Sequence, residues 1–191
     1  MAGSFSDNID MRTATGQVEL IVDGGHLQRV VYEGMLKAKV SLDVATADFK
    51  AMLIPYGQRA ARSVVAEFMR MADRGVEIRV LHSGIPSSAA LAELRGAMPA
   101  GLTIRRCPRL HSKLVIVDCN AMYLGSANLT GAGLGAKGAH RRNFEMGVWS
   151  RSTVLIDAAL QQFNALWESE RCTDCGRHDI CPVPLEEPML S

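Results

Sequence analysis

His111-Ser112-Lys113-Leu114-Val115-Ile116-Val117-Asp118 opens on polar residues, runs through four consecutive apolar ones and closes on an acid. The apolar run is what a strand covered on both faces requires. Asp118, Cys119 and Asn120 then form a turn, residues 121–124 return as a strand, and that strand runs into Gly125-Ser126-Ala127-Asn128. Further on, Asn143-Phe144-Glu145 leads a strand-like stretch over 144–149. Between them, residues 131–142 are rich in Gly and cations and lack periodicity.

Upstream, helix and strand patterns mix. Leu27, Val30, Val31, Gly34, Met35 and Ala38 follow helical spacing. Val40, Leu42 and Val44 alternate with polar residues as a strand does. Pro55, Tyr56 and Gly57 read as a loop. Val64, Val65, Phe68, Met69 and Ala72 predict a helix stopped by Gly75. Val76, Ile78 and Val80 predict a strand. Ser87 or Ser88 is placed to cap a short helix through Leu91 and Leu94 that Gly96 ends. Residues 102–106 read as a short strand. A last helix carries Ile156, Ala159, Leu160, Phe163, Leu166 and Trp167, with Ser152 as its cap. Such mixing predicts a layered α/β fold without internal repeats.

A chain of 191 residues supports one domain with a short appendage. Its 48% apolar and 21% charged residues exclude a disordered chain. Net charge is +1, which excludes a globally basic coat, so nucleic acid would need a local patch. Aromatics at 5% argue against a base-stacking platform. No apolar run reaches the ~18 residues of a membrane span. Residues 1–10 lack a signal-peptide pattern. The expectation is a cytoplasmic protein with reduced thiols and no membrane partner.

On a strand, residues two apart share a face, so His111 and Lys113 point the same way. Ser126 and Asn128 lie just past the end of the next strand. A nucleophile or proton carrier, a fixed cation and two neutral hydrogen-bonding groups are the parts wanted around a phosphodiester. Glu145 has the chemistry to hold a histidine ring in one tautomer. Taken singly, His-Ser-Lys also suits a polar strand mouth and Gly-Ser-Ala-Asn a plain turn. Together, HSKLVIVD, GSANLT and NFE resemble the HxKxxxxD, GSxN and downstream Asn-x-Glu segments of the phospholipase D superfamily, over about residues 27–167.

That resemblance implies a mixed β-sheet flanked by helices on both faces and a metal-independent phosphoryl transfer through a phosphohistidine. It makes His111 nucleophile or acid. Lys113 and Asn128 bind phosphate, Ser126 supports that cradle, and Glu145 orients the histidine of its own or a partner subunit. Asp118 becomes a structural hydrogen-bonder of the strand end. The family's sites use two such motifs and this chain has one, because His26, His82, His140 and His178 lack the pattern. A symmetric homodimer with a shared site follows.

Arg105, Arg106 and Arg109 bunch before the motif, and Lys137, His140, Arg141 and Arg142 bunch in the Gly-rich segment. Arg109, Lys137, Arg141 and Arg142 are the expected substrate contacts, and nucleic acid, DNA or RNA, the expected substrate. Solvated loop cations are the plain alternative. The resemblance favours a nuclease, of a sort found in bacterial restriction or phage defence. A phospholipid-cleaving enzyme and a nucleic-acid-binding subunit of a larger defence complex are the rivals.

Cys172, Cys175, His178 and Cys181 recur every three residues, and Pro182 follows. Thiolates and an imidazole suit structural zinc. An iron–sulfur loop and a set of free thiols are the other readings. Residues 1–171 are thus expected as the catalytic domain, with 1–16 an N-terminal arm. Residues 172–191 are expected as the Cys/His cluster and an extended tail holding three prolines.

Overall fold

The computed structural model describes residues 8–13, 16–57, 60–95 and 98–186. Ten strands and three α-helices run in the order β1 (Asn8–Thr13), β2 (Gly16–Val22), β3 (Ser41–Thr46), β4 (Leu53–Tyr56), β5 (Ala60–Ser63), α1 (Val64–Asp73), β6 (Glu77–His82), α2 (Ser88–Leu94), β7 (Leu102–Arg106), β8 (Leu114–Val117), β9 (Ala121–Gly125), β10 (Met146–Ser150) and α3 (Thr153–Trp167). Eight strands form one sheet in the order β1-β2-β10-β9-β8-β3-β6-β7, and β4 and β5 form a separate hairpin. The sheet is mixed: β3, β6 and β7 are parallel, and β8, β9, β10 and β2 join antiparallel. The expected architecture is present.

Each face carries its own core. On one, Leu42, Val44, Ile78, Val80, Val115 and Tyr123 pack with Val65 and Phe68 of α1 and Leu94 of α2. On the other, Ala45, Leu81, Leu114, Ile116 and Met122 pack with Ile156, Phe163 and Trp167 of α3. All four β8 side chains are buried because alternate residues feed opposite cores.

The helix ends follow local chemistry. Ser63 Oγ accepts from Val65 N–H to cap α1, and Gly75, at φ +91°, turns the chain out of it. Ser87 Oγ accepts from Ala90 N–H to cap α2, while the expected stop at Gly96 lies outside the described residues. Ser152 precedes α3 but its hydroxyl does not cap it.

Four further expectations need correction. Pro55 and Tyr56, expected in a loop, belong to strand β4 and pair with β5. The stripe over 27–38 is not one α-helix: a π-helical turn, Leu27–Tyr32, gives way to a 3-10 turn, Met35–Lys37. Gly34 is the break, because its backbone lies against Trp149, where a Cβ would come within 2.6 Å of the ring. The expected arm does not stand apart over its described part, since β1 and β2 form a hairpin that β2 joins to β10. Nor is the described tail extended. It turns at residues 182–185, Leu185 packs on the α3 core, and Arg106 holds Glu186 through a 2.6 Å ion pair and a 3.0 Å backbone bond.

Candidate active site

Strand direction puts the site at one end of the sheet. β3 and β6 end there at Thr46 and His82, β8 begins there after Lys113, β9 ends at Gly125, and β10 begins at Met146. His111, Lys113, Ser126, Asn128 and Glu145 all belong to that rim.

Lys113 is buried to 9% exposure, whereas His111 is exposed. The Lys113 ammonium donates to the His111 carbonyl at 2.8 Å and lies 3.3 Å from both ring nitrogens. Among the described residues it meets no carboxylate, so it is a buried cation without a counter-anion. Burying such a charge is costly unless something anionic joins it.

Glu145, also 9% exposed, is held from several sides. Ser126 Oγ donates to its Oε2, Asn143 Nδ2 donates to its Oε1 at 3.0 Å, and its N–H donates to Asp23 Oδ1 at 2.9 Å. Asp23 N–H returns a bond to the Glu145 carbonyl. Among the described residues Glu145 makes no hydrogen bond to His111; within one chain it fixes Ser126 instead. Met146 N–H donates to Ser126 Oγ at 3.0 Å.

Asn128 spends its amide oxygen on the backbone, accepting from Ala47 and Asp48 N–H at 3.1 Å each and from the Thr46 hydroxyl at 3.3 Å. Those donors fix which end of the amide is oxygen and leave Nδ2 as a donor for a ligand. Asp118 stands at the opposite end of β8, about 16 Å from the mouth at roughly 3.3 Å per residue. Its Oδ1 accepts from the N–H groups of Lys39, Val40 and Ser41 at 2.8–3.0 Å. Burial pushes its carboxyl pKa up, but those N–H groups outweigh burial and hold it below the usual range.

Beneath the rim is a support that no motif announces. The Tyr123 hydroxyl accepts from Ala127 N–H at 3.2 Å and bonds His26 Nε2 at 2.9 Å, while His26 Nδ1 bonds the Asp23 carbonyl at 2.8 Å. Gly125 and Gly147 make room for the Tyr123 ring, which a Cβ on either would strike. His26 and His82 are both fully buried, and burial lowers the pKa of each.

The basic clusters divide. Arg105 stacks on Trp167 at 4.6 Å and donates to its carbonyl, and Arg106 is engaged by Glu186 and the Ser83 carbonyl. Both hold α3 and the tail, so they do not flank an open site. Arg109 is exposed and lines, with His111, Ser112, Gln162, Arg171 and Cys175, a cavity of about 600 Å³. Arg171 is a cation there that the sequence reading missed. Lys137 lines a second cavity of about 480 Å³ with Lys50 and Thr130. Arg141 and His140 are exposed on a 3-10 turn, and Arg142 is half-buried.

Cys172, Cys175 and Cys181 are half-buried free thiols and His178 is exposed. Among the described residues, no three His, Cys, Asp or Glu side chains stand drawn together as a finished metal site. Nor is any described helix long and apolar enough to cross a membrane.

Residues 31–167 match the family described as cardiolipin synthase, PLD-like domain. No curated protein matches the chain in sequence. Among solved structures, NucT from Helicobacter pylori superposes with a TM-score of 0.62 at 16% identity, covering 81% of this chain and 97% of its own. Nuc from Salmonella typhimurium, a phospholipase D family member, gives 0.60 at 20%, covering 80% and 95%. TrmBL2, an archaeal chromatin protein with a described mode of DNA binding, gives 0.52 at 16%, covering 84% of this chain and 55% of its own.

Proposed function

The chain belongs to the PLD-like domain family, and on that footing we propose that it is a metal-independent nuclease whose active site is shared by two copies of the chain. The observation that carries the reading is the buried Lys113 ammonium against the exposed His111 ring, with no ion-pair partner for Lys113 and no acceptor for Asn128 Nδ2 among the described residues. A phosphodiester is the anion that fits: its oxygens take the cation and the amide, and its phosphorus faces the imidazole.

A ring nitrogen of His111 attacks phosphorus, forming a P–N bond as the P–O bond to the leaving group breaks. The leaving oxygen takes a proton from the same histidine of the second copy. Water then attacks phosphorus, gives its proton to that second histidine and breaks the P–N bond, which restores both rings. Glu145 fixes Ser126 and leaves the second copy's histidine as the ring it can orient. Leu124, Phe144 and Met146, at 45%, 96% and 60% exposure, form an apolar rim beside Ser126 and Glu145 that a second copy would cover.

Nucleic acid is the proposed substrate because the 3-10 turn presents Arg141 and Arg142, and the cavity beside His111 adds Arg109 and Arg171 alongside the acids Glu170 and Asp174. Likeness in fold to NucT and to Nuc, a phospholipase D family member, supports the same reading. A role in phage defence beside other subunits, in the cytoplasm, belongs to this proposal. The test is the purified protein on DNA, RNA and phospholipid vesicles with EDTA present. Nucleic acid should be cut, His111→Ala should abolish cutting but retain binding, and Lys113→Ala and Asn128→Ala should each lower kcat about 10²–10³-fold. Cleavage confined to phospholipid, or full activity in His111→Ala, would overturn it.

A further inference from the structure

Cys107 is separated from Cys172 by most of the second half of the chain, yet the fold brings them together. Cys107, Cys172, Cys175 and Cys181 line one cavity of about 30 Å³ together with His178. Four of the five cysteines thus lie around one small cavity, which Arg109 and Arg177 also line. The remaining one, Cys119, is exposed at the turn beyond β8.

The backbone around each thiol is set. Cys107 follows β7, its N–H donates to the His82 carbonyl at 2.8 Å, and its carbonyl accepts from Leu110 N–H at 2.9 Å. Cys172 and Cys175 share a tight turn in which Cys175 N–H donates to the Cys172 carbonyl at 3.1 Å. Cys181 N–H closes a second turn onto the Arg177 carbonyl at 2.9 Å. One rigid contribution from the sheet and two turns from the tail therefore meet at the cavity. His178 differs: it is exposed, while the four thiols are half-buried.

The tail is otherwise lightly fastened: Leu185 packs on the α3 core and Arg106 N–H donates to the Glu186 carbonyl at 3.0 Å. Over its described residues, 168–186, it has no helix or strand and is mostly exposed. It is tied to the Arg106–Arg109 region by the Glu186 ion pair and by Arg109 Nη1 donating to the Cys175 carbonyl at 3.3 Å. Both ties are solvent-accessible polar contacts of small net worth. A segment this poor in core needs a cross-link, as small domains generally do.

We propose that Cys107, Cys172, Cys175 and Cys181 form a four-thiolate structural zinc site, with Cys107 replacing His178 as the fourth ligand. The donor types fit, and zinc would draw the thiols closer together than they stand in this structure: thiolates are soft ligands, zinc takes four of them tetrahedrally, and a closed four-ligand set is structural rather than catalytic. Binding releases the four thiol protons to solvent and transfers no electrons. The ion would pin the C-terminal tail to the segment that leads through Arg109 into His111. The site stands independently of the chemistry proposed at His111.

The test uses the full chain, prepared with zinc and reduced thiols. Elemental analysis should give one zinc per chain. Cobalt exchanged for zinc should show the visible and near-ultraviolet bands of a four-thiolate tetrahedral site. Cys107→Ser should lower zinc affinity at least about 10-fold, while His178→Ala should keep both stoichiometry and affinity. A zinc-free protein, a disulfide among these four residues, or a cobalt spectrum of three thiolates and one imidazole would overturn the proposal. Loss of zinc in His178→Ala with retention in Cys107→Ser would do the same. Should Cys107→Ser fail to fold, the wild-type cobalt spectrum and His178→Ala decide the ligand set.

Discussion

Tyr123 and Asp23 shape the site as much as its motif residues do, yet neither could be found from the chain alone. Tyr123 meets His26 across 97 positions, and Asp23 meets Glu145 across 122. Long-range pairing of this kind leaves no local pattern. His111, Lys113, Ser126, Asn128 and Glu145 were readable because their order and spacing are fixed by two neighbouring strands. Arg105 and Arg106 misled for a simple reason: a guanidinium that stacks on Trp167 or pairs with Glu186 looks the same in sequence as one that waits for phosphate. The two buried histidines yield a pH prediction. Their folded pKa values lie below the ordinary 6.5, so the unfolded chain takes up protons first as pH falls. Their contribution is intact above 6.5 and is lost as pH falls from there toward the folded values. The urea midpoint should therefore drop between neutral pH and about pH 5, and the drop should be smaller in His26→Gln, which cannot take the proton. An identical drop in that variant would remove His26 from the explanation.

The central strands and α1 and α3 were readable because one period dominates each. Residues 27–38 were not, since a helical stripe does not show that Gly34 must lie against Trp149. The β1–β2 hairpin escaped notice because β2 earns its place by pairing with β10, far along the chain, rather than by clean alternation. Asp118 shows what a motif residue can do away from the reaction. One carboxylate gathers the N–H groups at the start of β3, at the end of the sheet opposite His111. Asp118→Ala should cost about 1–3 kcal/mol by leaving those donors to water or to nothing, while the site at the other end keeps its geometry. Urea denaturation with a midpoint unchanged from wild type would show that solvent replaces the carboxylate fully.

Taken as a single body, the chain has one sheet with a core on each face, and one sheet end that carries every motif residue except Asp118. The other histidines near that end, His26 and His82, are fully buried, so in the proposed reading the second reacting histidine comes from another copy. The exposed Leu124, Phe144 and Met146 mark where the second copy would seat. The shared site rests on the count of motifs; within one chain Glu145 accepts from Ser126 and, among the described residues, makes no hydrogen bond to His111. Subunit mixing tests the shared site most directly. Wild-type and His111→Ala chains are refolded together in equal amounts, and cleavage is measured with EDTA present. If both histidines serve one site, only wild-type pairs act, and about a quarter of the activity remains; a value near one half, or full activity from a monomer, would contradict it.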